Sequence, residues 1–204
     1  MNDTLPRDSD IIKLHKKYAS SKEVFDVVYA NCLITWRIAQ QLLSAKQHNL
    51  DKELIKAGCL LHDIGSYQSI AESGSLSVSA IDRGVAGEEI LQGEGYSDAL
   101  CSIVASHVGF GLTKEHIEET FVPLPHRNLA PQTAEGRLVS YATKLHTRSA
   151  TRSGEPQFNS VKSYRLLLHN LGNNYYCDEL ESLVDEFGEP DLSILSEEFN
   201  QKVA

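Results

Sequence analysis

The chain is poor in the features that anchor proteins outside the cytosol or in a bilayer. Only four cysteines occur in 204 residues, Cys32, Cys59, Cys101 and Cys177, and none forms a C-x-x-C pair. A disulfide framework or thiolate zinc site is therefore not expected, and they read as reduced core thiols. No apolar run approaches the roughly 18 residues that cross a membrane, and Met1 to Pro6 lack a basic region followed by an apolar core, so a soluble cytoplasmic protein is expected. Basic residues are outnumbered 28 to 19, giving a formal net charge of -9 that repels phosphate backbones and anionic lipid. The densest basic cluster, Lys13, Lys16 and Lys17, reads as a solvated helix face, so neither nucleic acid nor membrane is expected as a partner. Sustained period-two alternation is also missing, which leaves an all-α chain. At 41% hydrophobic residues it can bury a real core, and its length suits one domain over residues 1–204.

What is present reads at helical period almost throughout. Ser20-x-x-Glu23 has the form of a capping box opening a helix over about 22–46, with Val24, Val27, Ile34, Ile38 and Leu42 on one stripe that also carries Asn31. Asp51 can cap a second helix, about 52–64, apolar on more than one side as a central helix is. Residues 66–80, with six serines and a glycine, read as a loop over the mouth of whatever the end of that helix forms. Helices are then expected over about 82–93 and from Ser97, where Leu100, Ile103, Val104 and His107 follow at i, i+3, i+4, i+7. Gly109 and Gly111 end that helix, Thr113 can cap a short one to about 121, and Pro123, Pro125 and Pro131 force an irregular connector. A helix over about 133–148 places Val139, Thr143 and His146 on one face. Residues 149–159 read as a linker, followed by closing helices over Ser160–Asn170, Asp178–Phe187 and Asp191–Val203 that carry no chemical motif.

The densest chemistry lies in Leu60-Leu61-His62-Asp63-Ile64-Gly65. An imidazole and a carboxylate on adjacent residues, at the glycine-stopped end of an apolar helix, can bind one divalent cation, and a carboxylate among such neighbours needs a metal, a cation or several donors. A turn in which the two groups merely hydrogen-bond locally is the plainer alternative.

Four ordered segments share a pattern with a known family: His62-Asp63-Ile64-Gly65; Arg83-Gly84-Val85-Ala86-Gly87-Glu88-Glu89-Ile90-Leu91, against H-G-x-x-G-x-x-I-L; His107-Val108-Gly109-x-Gly111-Leu112-Thr113; and Val139-Ser140-Tyr141-Ala142-Thr143-Lys144-Leu145, against V-x-Y-A-D-K-L. Over about 20–150 the chain resembles the HD superfamily of metal-dependent phosphohydrolases, in particular small stand-alone proteins with an H-D-I-G motif. The resemblance implies a helical bundle of roughly eight to ten helices, with a core over 20–150 and a helical extension over 151–204 packed on it. It also implies a metal site at His62, Asp63, Asn31 and Thr143, with Asp63 and His62 as the catalytic pair. Asn31 and Thr143 stand where members carry a histidine and an aspartate, Arg83 where many carry another histidine, and Ser66 where several carry a lysine or arginine. Losing two such ligands disfavours tightly bound zinc or iron, so a weakly held Mg²⁺ or Mn²⁺, or no metal, is expected.

Two readings follow. In one the protein hydrolyses a small phosphorylated compound, a nucleotide or phosphomonoester, with Arg83, His107 and Lys144 contacting substrate. In the other Arg83 replaces the metal as partner of Asp63, and a catalytically degenerate pocket binds an anionic ligand or serves regulation. Arg83 pointing to solvent from the first turn of its helix is the bland alternative, as is a snorkelling Lys144. His146 and His126 are lesser candidates as substitute ligand and pocket-mouth residue, whereas His15, His48, His116 and His169 read as exposed. A purely structural helical domain is a third reading, and self-association is left open.

Overall fold

A computed structural model describes residues 5–45, 49–69, 82–120, 123–147, 155–172 and 174–204. The all-α expectation is met: these residues form α1 (Asp8–Tyr18), α2 (Lys22–Ala45), α3 (Lys52–Leu61), the four-residue α4 (Ser66–Ser69), α5 (Arg83–Gly93), α6 (Asp98–Ala105), α7 (Lys114–Thr120), α8 (Ala134–Lys144), α9 (Val161–Asn170), α10 (Asn174–Phe187) and α11 (Leu192–Phe199). The one strand pair among the described residues is β1 (His146–Thr147) against β2 (Gln157–Phe158), antiparallel and two residues long.

Caps set several helix starts. Asp51 Oδ1 accepts the N–H groups of Glu53 and Leu54, Thr133 Oγ1 accepts that of Gly136, and Ser160 Oγ accepts that of Ser163. At α2 the cap lies one residue beyond the expected box: Ser21 Oγ accepts from Val24 N, so the hydroxyl that serves the first turn is not that of Ser20. Ile34, Ile38 and Leu42 keep the expected stripe, and the difference is near its start, where Val28 is buried in place of Val27. Val28, Cys32, Ile34, Ile38 and Leu42 are buried, while Val27 is 54% exposed.

Helix α3 is the axis of the molecule. Its Ile55 and Cys59 belong to a core shared with α2, α8 and α9 to α11, while its Ala57, Leu60 and Leu61 belong to a second core shared with α1, α5 and α6. A residue at Gly58 with a Cβ would place it 2.7 Å from Ile103 Cγ2 and 3.3 Å from Val139 Cγ2, so glycine lets α6 and α8 close on this helix. The closing helices carry Leu168, Leu180, Leu183, Phe187 and Leu195 into the first core.

Three further expectations change. His15, read as exposed, is fully buried: its Nε2–H donates to the Leu60 carbonyl at 2.7 Å and Tyr67 Oη donates to Nδ1 at 2.9 Å, because α1 turns that face onto α3. Helix α10 begins at Asn174 instead of near Asp178, and α8 stops at Lys144, so His146 lies in β1 and not on the helix face with Val139. Ser66–Ser69 form α4, and the rest of the serine-rich loop, His48 and most of the linker lie outside the described residues. His116, His126 and His169 are exposed, His126 lying 4.0 Å from Glu118.

Candidate metal and anion site

The end of α3 delivers His62 and Asp63 into the interior, 3% and 1% exposed. His62 Nδ1–H donates to the Cys59 carbonyl at 2.8 Å. From the end of α6, His107 does the same toward Val104 at 2.6 Å. Each ring is thereby held as the tautomer whose Nε2 carries the lone pair. The rings meet edge to face, centroids 5.0 Å apart, and ligand atoms of His62, Asp63 and His107 all lie within 4.8 Å of one another. Burial pushes the His62 imidazole down to about 4 and that of His107 well below its ordinary value, so both are neutral near pH 7. His107 Nε2 is buried with no hydrogen-bond partner.

Asp63 is held from several sides. Ser66 Oγ donates to Oδ1 at 2.6 Å, and Asn31 Nδ2 lies 3.2 Å from Oδ2 and 3.3 Å from His62 Nε2. Arg83, in the first turn of α5, brings Nε to 3.6 Å from Oδ1 with its side chain 32% exposed. That contact is an ion pair without a hydrogen bond, since Arg83 Nε itself has no hydrogen-bond partner. Lys144 is buried, donating to the His107 carbonyl at 2.7 Å and to Thr143 Oγ1 at 2.8 Å, and burial followed by the charge of Arg83 pushes its ammonium pKa well down.

Asn31, His62, Asp63, Arg83, His107 and Lys144 thus converge on one region. Thr143 turns its hydroxyl to the Ser140 carbonyl at 2.7 Å and receives Lys144, so it supports the lysine. His107 stands among the donors of the His-Asp doublet, a closer position than that of a substrate contact alone. Ser66 went unassigned, although Asp63-x-x-Ser66 is a local spacing that brings a hydroxyl to a carboxylate. His146, weighed as a ligand, bonds Asn31 instead, with Nδ1 2.9 Å from Oδ1. Gln201, 2.7 Å from His146 Nε2, had no signal at all because 55 residues separate the two.

The residues present suit a divalent cation. Two fixed Nε2 lone pairs and a carboxylate share one buried space, and one of those nitrogens is otherwise unpartnered.

Residues 28–148 match the HD domain family. The chain belongs to it. Among curated relatives, it is 40% identical over 101 residues to a tRNA (cytidine(56)-2'-O)-methyltransferase of Thermoplasma volcanium, covering 50% of this chain and 27% of that one. It is 35% identical over 121 residues to an uncharacterized protein of Methanocaldococcus jannaschii, covering 58% and 65%. The chain thus spans less than two thirds of each of these proteins. Two crystal structures of the HD domain of the L. monocytogenes phosphodiesterase PgpH, one in complex with cyclic-di-AMP, share the fold at TM-scores of 0.54 and 0.55. They are 16% and 15% identical and cover 93% and 95% of this chain and 98% and 99% of theirs.

Proposed function

We propose that this HD-domain protein hydrolyses a small phosphorylated compound, a nucleotide or phosphomonoester, at a weakly held divalent cation bound by His62, Asp63 and His107. The observation that carries this reading is the pair of imidazoles fixed by backbone carbonyls, with Nε2 atoms gathered beside the Asp63 carboxylate and one of them unpartnered. Two imidazoles with one carboxylate favour Mn²⁺ over Mg²⁺, which prefers oxygen. When bound, such a cation lowers the pKa of water and offsets charge on phosphoryl oxygens. Arg83, part exposed at the edge of the cluster, supplies positive charge to orient those oxygens, while buried Lys144, its charged form disfavoured by burial, holds the His107 carbonyl beside it. The PgpH complex makes cyclic and linear nucleotides the first compounds to screen.

A second reading rests on Arg83 lying 3.6 Å from Asp63: the guanidinium supplies the countercharge and the pocket binds an anion without metal. The two readings differ in the Arg83→Met variant. On the first, removing a competing cation raises Mn²⁺ affinity, measured by calorimetry on metal-stripped protein, and Asp63→Ala abolishes both Mn²⁺ binding and Mn²⁺-dependent phosphoester turnover. On the second, neither wild type nor R83M binds Mn²⁺, and R83M loses affinity for phosphate. Absence of Mn²⁺ binding together with absence of turnover across a phosphoester panel overturns the first reading.

A further inference from the structure

Asn31 meets the cluster with its Nδ2, and its Oδ1 faces away to His146. His146 is only 7% exposed, and its Nδ1 and Nε2 face Asn31 Oδ1 at 2.9 Å and Gln201 Oε1 at 2.7 Å. Both neighbours are therefore acceptors as placed, whereas a neutral imidazole carries one N–H. A neutral ring satisfies both sides only when one of the two amides is turned end for end. With the proton on Nδ1, Gln201 turns, and Asn31 keeps its Nδ2 toward His62 and Asp63. With the proton on Nε2, Asn31 turns, its Nδ2–H donates to His146 Nδ1, and its carbonyl oxygen enters the cluster. The first arrangement suits an empty site, since Nδ2 donates to the Asp63 carboxylate. In the second, Oδ1 would face a carboxylate oxygen and a lone pair, which only a cation makes favourable.

We propose that Gln201 and His146 form an orienting relay that decides whether Asn31 presents a donor or an oxygen ligand to the His62–Asp63–His107 cluster. The relay rests on the metal reading above, and makes His146 and Gln201 positioning residues that act through Asn31. No proton is gained or lost: one moves from Nδ1 to Nε2 of the same ring as the amides turn.

Gln201 is the handle, because a one-way group there forces the ring. Gln201→Glu accepts only, holds the proton on Nε2 and turns the Asn31 oxygen inward. Gln201→Lys donates only and holds Nδ2 inward. Relative to wild type, calorimetry on metal-stripped protein is expected to show Mn²⁺ affinity rising about tenfold in Q201E and falling about tenfold or more in Q201K, the size of effect that groups behind a ligand exert. In a His146→Phe background, which keeps the ring packed on Phe158, both effects shrink to what a remote charge alone produces. Equal effects in that background overturn the relay. Should H146F not fold, Asn31→Asp serves in its place: both ends of its carboxylate are oxygen, so turning changes nothing and the responses vanish. Nitrogen-15 NMR of the metal-free proteins gives an independent reading, with Nδ1–H expected in Q201K and Nε2–H in Q201E. The same tautomer in both, or a doubly protonated ring in wild type at neutral pH, overturns the proposal. If no variant binds Mn²⁺ while the tautomers still divide as stated, the metal reading fails and the orienting role of Gln201 stands.

Discussion

Three of the buried imidazoles, His15, His62 and His107, respond to acid in one direction. His15 and His62 are pushed down to about 4 by burial and His107 well below its ordinary value, while all three titrate near 6.5 in the unfolded chain. Above pH 6.5 both states hold them neutral, and no stability depends on them. As pH falls below 6.5 the unfolded chain takes up protons that the folded protein refuses, so stability declines through the window from 6.5 to about 4. Urea midpoints measured across this window should fall steadily, and His15→Leu, which removes a group that is not one of the cluster's ligands, should flatten the slope. A midpoint unchanged from pH 7 to 5 contradicts the burial argument. Much at this scale was legible in the residues themselves. Asp63 needs compensation wherever it is buried, and Ser66, Asn31 and Arg83 all approach it. His15 was not legible, since a histidine among lysines on a short helix has the same pattern whether its face meets water or Leu60.

Among the elements, α5 explains why glycine recurs in the Arg83-Gly84-Val85-Ala86-Gly87 segment. A Cβ at Gly84 would lie 2.6 Å from the Ala105 carbonyl oxygen, and one at Gly87 would lie 2.7 Å from Val104 Cγ1, so α5 lies directly on α6. Gly65 completes the contact from the other side. A Cβ there would sit 2.0 Å from the Arg83 carbonyl oxygen and 2.5 Å from Gly87 N, both backbone atoms that no rotamer change can move. Gly65→Ala is therefore expected to destabilise by about 3 kcal/mol or more, at the upper end of overpacking costs. It should also displace Arg83 from Asp63 and alter Mn²⁺ affinity, both read by denaturant titration and calorimetry. An alanine tolerated within 0.5 kcal/mol, roughly the scatter of neutral surface changes, refutes the close approach. The spacing of these glycines was visible in the sequence, but their reason was not, because it depends on how closely α6 and the His-Asp turn pack on α5 from two sides.

At the scale of the molecule, the first core joins α2, α3 and α8 to all three closing helices. We propose on that basis that residues 155–204 fold with the rest as one cooperative unit. Trp36, the single tryptophan, packs against both cores and so reports on each. Its fluorescence and far-ultraviolet circular dichroism should follow one coincident urea transition, and Phe187→Ala, which empties a fully buried site on α10, should lower stability by about 3–5 kcal/mol in both signals. Separate transitions would divide the chain.

The sequence by itself determined the all-helical class, the family and the place of the His-Asp doublet, because helical period, caps and adjacent ligands are local properties of the chain. It also set the acidic balance of 28 acidic against 19 basic residues. Only the tertiary structure decided who stands beside Asp63: His107 among the donors, Arg83 as an ion-pair partner without a hydrogen bond, Thr143 turned to Lys144, and Asn31 held by His146 and, through it, Gln201. These neighbours come from α2, α5, the end of α6, α8, β1 and the segment after α11. Their meeting depends on how two cores close around α3, and that is a property of packing that no single stretch of the chain carries.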